Sequence, residues 1–236
     1  MSRTLFISDL HLDPARPEIT WALAAFLNDH SDCSTLYVLG DLFEAWVGDD
    51  DDSAFVASVA ALFADFSAQG PGLMLMQGNR DFLLGEDFCN RIGATLLPDP
   101  STIDLYGTPT LLMHGDSLCT GDAEYMRFRS SARSPQWQAE LLAKPLAERR
   151  ALAEQLRSMS KEANSNKAED IMDVTPAEVD RVMREAGVSR MIHGHTHRPA
   201  RHQVPLGERI VLGDWERHGW YIDAGPDHID LVKFDI

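Results

Sequence analysis

The chain has little cysteine and no long apolar run. Its 236 residues include three cysteines, Cys33, Cys89 and Cys119, an odd number without the close spacing of a disulfide framework. We expect these thiols to be reduced, as they are in cytosolic proteins. No apolar stretch approaches the length of about 18 residues that a membrane-spanning helix needs. The first residues also lack the basic and apolar segments of a signal peptide, so the sequence predicts neither a signal peptide nor a transmembrane segment.

Positive charge is also scarce. The chain has 21 Lys and Arg residues against 37 Asp and Glu residues, which gives a net charge of −16. A general nucleic-acid binder needs a basic surface to displace counterions, so this class of protein, nucleases included, fits poorly. The stretch 122–190 differs, because its twelve basic residues balance its twelve acidic ones. We expect a negatively charged substrate or membrane surface to be met there.

The hydrophobic content of 44% is that of a globular protein with a core. The first 120 residues alternate strand-like runs with helical patterns over 17–30, 53–68 and 87–92. This alternation predicts βαβ units and a mostly parallel sheet. The segment 122–187 breaks the alternation with a composition rich in Ala, Glu, Arg and Leu, which predicts a helical insertion. Short apolar runs separated by turns follow it and predict antiparallel strands.

Five short polar motifs each follow an apolar, strand-like run. They are Asp9-Leu10-His11, Gly40-Asp41, Gly78-Asn79-Arg80-Asp81, His114-Gly115-Asp116 and Gly194-His195-Thr196-His197. Open α/β sheets collect their ligand sites beyond the carboxyl ends of the strands. Any one of these motifs is commonly structural, since Asp after a strand often caps a helix or forms a turn. The five together predict a single site.

The side chains of these motifs are oxygen and imidazole metal ligands, without a thiolate. The candidate ligands are Asp9, His11, Asp41, Asn79, His114, His195 and His197. In an extended segment, residues i and i+2 face the same side, which would aim Asp9 and His11 at one ion, and the last motif repeats this spacing. Seven ligands suit two ions about 3.5–4 Å apart that share a carboxylate, for which Asp41 is the candidate. Such ligands favour Mn²⁺, Fe²⁺ or Zn²⁺ over Ca²⁺.

In order and type, the motifs resemble those of the calcineurin-like metallophosphoesterases. The resemblance implies a four-layer α/β/β/α sandwich with two metal ions at the strand ends. It assigns 1–121 and 188–236 to this core, and 122–187 to a helical insertion that forms a lid over the active site. It implies two ligand sets, Asp9, His11, Asp41 and His197 for one ion, and Asp41, Asn79, His114 and His195 for the other.

Arg80 departs from the many family members that have a histidine after the asparagine of the third motif. That histidine can protonate an alkoxide leaving group, whereas arginine stays charged and clamps phosphate instead. A phosphate leaving group, whose second pKa is about 6, needs no added proton. Arg80 therefore indicates pyrophosphate cleavage. We expect Arg80 and His195 to stabilise the transition state electrostatically, with Asp41 as the third catalytic residue.

The residues around the motifs resemble one branch of the family more closely. The segments Gly40–Asp50, Gly78–Gly85 and His114–Asp122 are similar to those of hydrolases that cleave UDP-2,3-diacylglucosamine. The resemblance implies Mn²⁺-dependent hydrolysis of the pyrophosphate bond to UMP and 2,3-diacylglucosamine 1-phosphate (lipid X) in lipid A biosynthesis. It implies two Mn²⁺ ions per chain and a peripheral place on the cytoplasmic side of the inner membrane. We expect attack on the α-phosphorus, and neither a nucleic-acid partner nor an obligate protein partner.

The resemblance also implies a set of substrate contacts. They are Asn79, Arg80, Asp122, Ser160, Asn164, Lys167 and His195. Three of them, Ser160, Asn164 and Lys167, would share one face of a helix, and their spacing alone is equally typical of a solvated face.

Apolar residues of the insertion predict a groove for two acyl chains, with the others packing the helices together. They are Trp137, Leu141, Leu142, Leu146, Leu152, Leu156 and Met159. On the same segment, we expect Arg149, Arg150 and Arg157 to meet anionic headgroups.

Two other functions remain open at this point. One is a dimetal phosphodiesterase or pyrophosphatase that acts on a soluble nucleotide, and the other is a scaffold without catalysis. The acidic run Asp49–Asp52 is interpreted as a loop or helix cap, because negative charge is favourable before the helix predicted from Ser53. Asp81, and with less support Asp116, are expected to hold a ligand histidine by a hydrogen bond.

Overall fold

The computed structural model describes residues 3–165 and 173–236, with the backbone alone between 161 and 165. The strands are β1 (Thr4–Ile7), β2 (Thr35–Leu39), β3 (Gly72–Met76), β4 (Ala94–Leu97), β5 (Ser101–Leu105), β6 (Thr108–Met113), β7 (Arg190–His193), β8 (Ala200–Val204), β9 (Gly207–Val211), β10 (His218–Gly225) and β11 (His228–Asp235). The helices are α1 (Pro17–Asp29), α2 (Ala54–Ala68), α3 (Glu86–Ile92), α4 (Ala123–Ala132), α5 (Pro135–Leu142), α6 (Leu146–Ser165) and α7 (Pro176–Ala186).

The strands form two mixed sheets. The first has the order β11-β10-β1-β2-β3-β4, with β1 to β4 parallel and β10 antiparallel to both β1 and β11. The second has the order β5-β6-β7-β9-β8, with parallel β6, β7 and β9 between two antiparallel edge strands. The sequence did not predict β4, β5 and β8. All three are edge strands with partly exposed side chains, so they lack the apolar run of a buried strand.

The layers follow from alternation of side chains along the strands. In β1, Leu5 and Ile7 pack with helices α1 to α3, whereas Phe6 points into the apolar layer between the two sheets. In β6, Leu112 faces that same layer and Leu111 faces outward towards α7. The order of layers is therefore helices, sheet, sheet and helix. This confirms the predicted four-layer α/β/β/α sandwich.

Helices α4 to α7 occupy the chain between β6 and β7, where the sequence predicted a helical insertion. Helix α7 packs Val179 and Met183 against the outer face of the second sheet. Helices α4 to α6 instead join the apolar cluster of the first sheet through Ala132, Leu141 and Leu152. The division of the chain into a core and a lid stays a prediction. Among the described residues, no helix is long and apolar enough to cross a membrane.

The acidic run Asp49–Asp52 fastens helix α6 to the core. Asp50 accepts two hydrogen bonds from the guanidinium of Arg149, and Asp51 and Asp52 each lie 2.7 Å from Arg150. Asp49 accepts backbone N–H bonds from Gly85 and from Phe88 at the start of α3. The run thus serves as a cap and an ion-pairing segment.

The same contacts change the interpretation of three arginines. Arg149, Arg150 and Arg157, which the sequence predicted to meet anionic headgroups, all pair with acidic side chains of the core. Arg149 is only 4% exposed. Their charge is neutralised within the molecule, and they are poor candidates for a headgroup site.

The packing of the insertion predicts different costs for two methionines. Met183 on α7 is fully buried, whereas Met159 on α6 is 57% exposed. We expect Met183→Ala to lower the free energy of unfolding by about 2–5 kcal/mol, because it leaves a cavity in the core. The matched change Met159→Ala should alter it by less than about 0.5 kcal/mol. Urea unfolding of both variants checks this, and a similar cost for both would contradict a core position for α7.

Candidate dimetal active site

All seven predicted ligands meet at one edge of the two sheets, in the loops that follow β1, β2, β3, β6 and β7. Three strands of the first sheet and two of the second thus contribute to one site. The structure therefore brings the five separate motifs together in one place, as the sequence predicted.

The backbone at the site is unusual. Five of the seven ligand candidates have positive φ angles, namely Asp9 (55°), His11 (49°), Asp41 (52°), His195 (67°) and His197 (54°). Residues other than glycine rarely adopt this backbone conformation, and each one that does lowers the stability of the fold by on the order of 1–3 kcal/mol. The expected i, i+2 geometry of an extended strand was wrong, because β1 already ends at Ile7. Left-handed turns, rather than the strand pleat, aim these side chains together.

The first group of side chains surrounds the imidazole of His11. Its Nε2 atom lies 3.1 Å from His197 Nε2 and 3.8 Å from Asp41 Oδ2. Asp9 Oδ1 lies 3.4 Å from His197 Nε2. Four potential ligand atoms thus face a common point.

The second group is arranged around the amide oxygen of Asn79. This oxygen lies 2.9 Å from His114 Nε2 and 2.8 Å from His195 Nδ1. Asp41 Oδ1 lies 3.6 Å from His114 Nε2. Because Oδ2 of the same carboxylate faces the first group, Asp41 stands between the two groups with one oxygen towards each.

The atoms that face away from these groups are held by hydrogen bonds. Asp9 Oδ2 accepts from the Ser8 hydroxyl at 2.6 Å and from the backbone N–H of His195 at 2.9 Å. Asp9 Oδ1 is buried and has no hydrogen-bond partner within the described ranges 3–165 and 173–236. His114 Nδ1 lies 2.9 Å from the carbonyl of Leu39 and can donate to it. This leaves His114 Nε2 free for a ligand role.

The electrostatics of the site favour a cation. Burial raises the pKa of Asp9, but His197 and two further imidazoles outweigh it and hold that pKa well below its usual range. Burial lowers the pKa of His114, but the charges of Asp41, Asp9 and Asp116 outweigh it and raise that pKa to about 9. The surplus of negative charge thus favours the charged form of His114, whereas burial and the neighbouring His114 lower the pKa of His195 to about 4. Divalent ions would supply the same positive charge, so the orphaned Asp9 oxygen and the donor set fit a metal centre.

Asp81 has a different role from the predicted one. Its carboxylate accepts backbone N–H bonds from Gly78 at 2.7 Å and Leu42 at 2.8 Å. It therefore ties the second and third motif loops together instead of holding a histidine. Asp116 likewise accepts from the Tyr125 hydroxyl at 2.5 Å and from Arg129 Nε at 2.8 Å.

Two glycines allow the loops to approach each other. A Cβ atom on Gly78 would lie 2.1 Å from Asp41 Oδ1, and one on Gly194 would lie 2.2 Å from Asp9 Oδ2. Either contact is far below van der Waals distance. Glycine precedes Asn79 and His195 because a carboxylate of another loop occupies the space that a side chain would need. Neither glycine is required for a positive φ.

An apolar cavity of about 290 Å³ opens beside the second group. Asn79, Arg80 and Tyr125 line its polar end. The apolar walls come from the core and the insertion, and include Trp46, Val47, Phe82, Leu83, Phe128, Leu141, Leu152, Leu156 and Met159. Four of the seven apolar residues predicted for an acyl groove are among them. Trp137 instead packs against the Phe82 ring, with centroids 5.8 Å apart.

The predicted substrate contacts are only partly within the described structure. Asn79, Arg80, Asp122 and Ser160 line the cavity, and Asp122 also caps α4 by accepting from the backbone N–H of Tyr125. The side chain of Asn164 and all of Lys167 lie outside the described residues. Their contribution to a binding face stays a prediction.

Sequence reasoning missed two residues that the fold brings to the site. Tyr125 stacks on His195 with ring centroids 6.1 Å apart, and Glu44 lies 3.3 Å from His11 Nδ1. Tyr125 stands on α4, nine residues after Asp116 and outside the motif itself, so the motif pattern did not mark it. Glu44 follows Asp41 by only three residues, and that proximity was the available signal.

A family model described as calcineurin-like phosphoesterase matches residues 2–199. This chain belongs to the calcineurin-like phosphoesterase family. The family uses divalent metal ions, and the structure places Asp9 with His11 and His197, and Asp9 with Asp41 and His114, close enough to share one.

Relatives match this phosphoesterase over nearly its whole length. It is 55% identical, over 99% of each chain, to a UDP-2,3-diacylglucosamine hydrolase of Cellvibrio japonicus. Hydrolases of the same name from Marinobacter nauticus and Pseudomonas aeruginosa are 53% and 54% identical. The alignment with the Marinobacter protein covers 95% of this chain and 94% of the relative, and the alignment with the Pseudomonas protein covers 93% of each. This phosphoesterase is therefore a hydrolase.

Solved structures of low sequence identity show the same fold. A novel archaeal phosphodiesterase superposes with a TM-score of 0.52 at 13% identity, over 99% of each chain. A hypothetical protein, PH1004, from Pyrococcus horikoshii gives a TM-score of 0.52 at 10% identity, covering 100% of this chain and 88% of the other. At this identity the likeness concerns the fold alone.

Gly194 offers a test of the packed loops. We expect Gly194→Ala to lower the free energy of unfolding of the metal-free protein by about 1–3 kcal/mol, because the new methyl group collides with Asp9 and Ser8. In the matched change Gly72→Ala, the closest atom stands 3.4 Å from the new Cβ, and the cost should stay below about 0.5 kcal/mol. Urea unfolding measures both, and an unaffected Gly194→Ala protein would show that the loops do not close as described.

Proposed function

We propose that this phosphoesterase hydrolyses the pyrophosphate bond of UDP-2,3-diacylglucosamine to UMP and 2,3-diacylglucosamine 1-phosphate, a reaction of lipid A biosynthesis. The observation that carries the proposal is the apolar cavity that opens directly on the ligand cluster, with Asn79 and Arg80 at the junction. Full-length relatives bear the name of this hydrolase. A diacylated, phosphorylated substrate needs an apolar cavity for its acyl chains and a polar cluster for its phosphates within one site.

The proposed cofactor is a pair of Mn²⁺ ions per chain. Asp9, His11, Asp41 and His197 would hold one ion, and Asp41 with Asn79, His114 and His195 the other. The position of Asp41 supports its role as the shared ligand, because its two oxygens face different groups. When bound, the ions lower the pKa of water and neutralise charge on phosphoryl oxygens.

Arg80 supports the assignment of a phosphate leaving group. Its guanidinium lies at the cavity, with Nε 3.8 Å from Asp41 Oδ2, and its Nη1 atom has no hydrogen-bond partner within the described part of the chain. Nη1 also lies 3.5 Å from Glu44 Oε1, a distance that leaves its hydrogen-bonding capacity for a phosphoryl oxygen. As water bonds to the α-phosphorus, the bond to the bridging oxygen breaks and the lipid 1-phosphate leaves with that oxygen. Arg80 and His195 stabilise the charge that develops.

The insertion acts as the lid in this proposal. Leu141, Leu152 and Leu156 from α5 and α6 line the cavity together with Phe82 and Leu83 of the core. This wall binds acyl chain, while Ser160, Asn164, Lys167 and Asp122 bind the sugar and phosphate region. The proposed location is the cytoplasmic face of the inner membrane, where such a substrate resides, and the exposed Phe128, Leu142 and Met159 of the insertion support contact with lipid.

Turnover of the lipid substrate is the first test. Mn²⁺-loaded protein in detergent should release UMP and the lipid 1-phosphate, and in ¹⁸O-water the label should enter UMP. We expect Asp41→Ala to lower turnover by more than about 100-fold, because several kcal/mol of charge stabilisation are lost with the shared ligand.

The control for that loss is Asp235→Ala, at a side chain that is 94% exposed. It should turn over substrate like the unsubstituted protein. Label in the lipid 1-phosphate would contradict attack on the α-phosphorus. Cleavage of a soluble nucleotide or an aryl phosphodiester, without cleavage of the lipid substrate, would keep the metal centre and refute the lipid assignment.

Filling the cavity tests its role as an acyl site. We expect Leu152→Trp to raise KM for the diacylated substrate by about tenfold or more, because an overpacked cavity costs about 1–3 kcal/mol. KM for the deacylated substrate should be unchanged. Gln155→Trp, at an exposed position of the same helix that does not line the cavity, is the matched control. Steady-state kinetics with both substrates decide the question, and equal effects of Leu152→Trp on the two would refute an acyl site.

A further inference from the structure

Glu44 lies between the first ligand group and two arginines that line the cavity. It follows Asp41 in the second motif loop. One carboxylate oxygen, Oε2, lies 3.3 Å from His11 Nδ1. The other, Oε1, accepts from Arg157 Nη2 at 2.6 Å and Nε at 2.9 Å, and lies 3.5 Å from Arg80 Nη1.

The contact with His11 bears on the first ligand group. His11 Nε2 points towards Asp41 and His197, so Nδ1 is the atom that can orient the ring. Nδ1 has no hydrogen-bond partner among the residues that the structure describes, and the Glu44 carboxylate stands 3.3 Å from it. A carboxylate behind a ligand histidine fixes the ring and raises its basicity. Glu44 is placed for that task.

The contacts with arginine bear on the cavity. Arg80 from the third motif and Arg157 from α6 both line it, and both approach the same oxygen of Glu44. Two guanidinium groups this close repel each other unless an anion lies between them. Glu44 supplies that anion and sets the separation of the two positive groups that an incoming phosphate meets.

We infer that Glu44 is a positioning residue that orients the metal ligand His11 with one oxygen and the arginine pair Arg80 and Arg157 with the other. This one carboxylate thus contacts both helix α6 and a side chain of the first ligand group, through separate oxygens. Arg149 and Arg150 also fasten α6, but to Asp50, Asp51 and Asp52, which lie away from the ligands. This inference rests on the proposed function for the identity of the substrate, but not for the binding of metal.

The test combines Mn²⁺ titration of the metal-free protein, followed by electron paramagnetic resonance, with KM of the Mn²⁺-saturated enzyme for UDP-2,3-diacylglucosamine. Glu44→Gln keeps the size of the side chain and removes its charge. We expect it to weaken the binding of one Mn²⁺ by about tenfold or more and also to raise KM. Arg157→Gln should raise KM while Mn²⁺ affinity stays within about twofold of the unsubstituted value.

Glu148→Gln is the matched control, because Glu148 is exposed on the same helix and its contact with Lys144 is a long one of 4.0 Å. It should leave both quantities unchanged. Unchanged Mn²⁺ affinity or unchanged KM in Glu44→Gln overturns the inference. So does an equal loss of Mn²⁺ affinity in Arg157→Gln, because displacement of α6 would then explain the result. The titration needs no substrate, so it remains decisive even if the lipid is not turned over.

Circular dichroism confirms that each variant is folded before titration. If Glu44→Gln does not fold, Glu44→Asp replaces it. The shorter side chain keeps the charge but withdraws the carboxylate from both His11 and Arg157. The same two losses are then expected, and normal Mn²⁺ binding by a folded Glu44→Asp protein overturns the inference.

Discussion

Buried negative charge is the constraint on which the rest of this structure depends. Asp9 and Asp41 are 0% and 1% exposed, at an edge where two sheets meet and apolar layers lie behind. An isolated ionised carboxylate is very costly in such a place, so positive partners must lie close. Imidazoles from the loops after β1, β6 and β7 and the guanidinium of Arg80 provide them in the metal-free chain. The same surplus is what makes the site a metal centre.

Bringing these charged groups together requires strained backbone conformations. Ligands such as Asp9, His11 and His195 have left-handed conformations, and Gly78 and Gly194 bring loops into contact where a methyl group does not fit. Strain of this kind persists only where the surroundings over-determine it. Here the two sheets hold the five loops at fixed separation, since the apolar layer between the sheets ends directly beneath them.

The acidity of the core also decides how the insertion is attached. The sequence places balanced charge in 122–190 and a large acidic excess elsewhere. That difference predicted a surface for anionic partners, yet Arg149, Arg150 and Arg157 pair with acidic residues of the core. The insertion therefore contributes apolar residues to the lining of the cavity, and its arginines pair with the core. Local charge counts do not reveal these pairs, because the acidic partners are distant along the chain.

The sequence by itself determined the ligand types, the strands that carry them and the helices α1 to α3, because apolar runs and periodicity are local properties. It also determined, through its resemblance to a family, the four layers and the order of the motifs. Only the tertiary structure decided the edge strands β4, β5 and β8, the turns that aim Asp9 and His11, and the tie of Asp81 to the loops. Glu44 and Tyr125 belong to this second group, since their roles arise from side chains that meet across more than one element. Contacts between distant segments depend on packing, which periodicity along one segment does not encode.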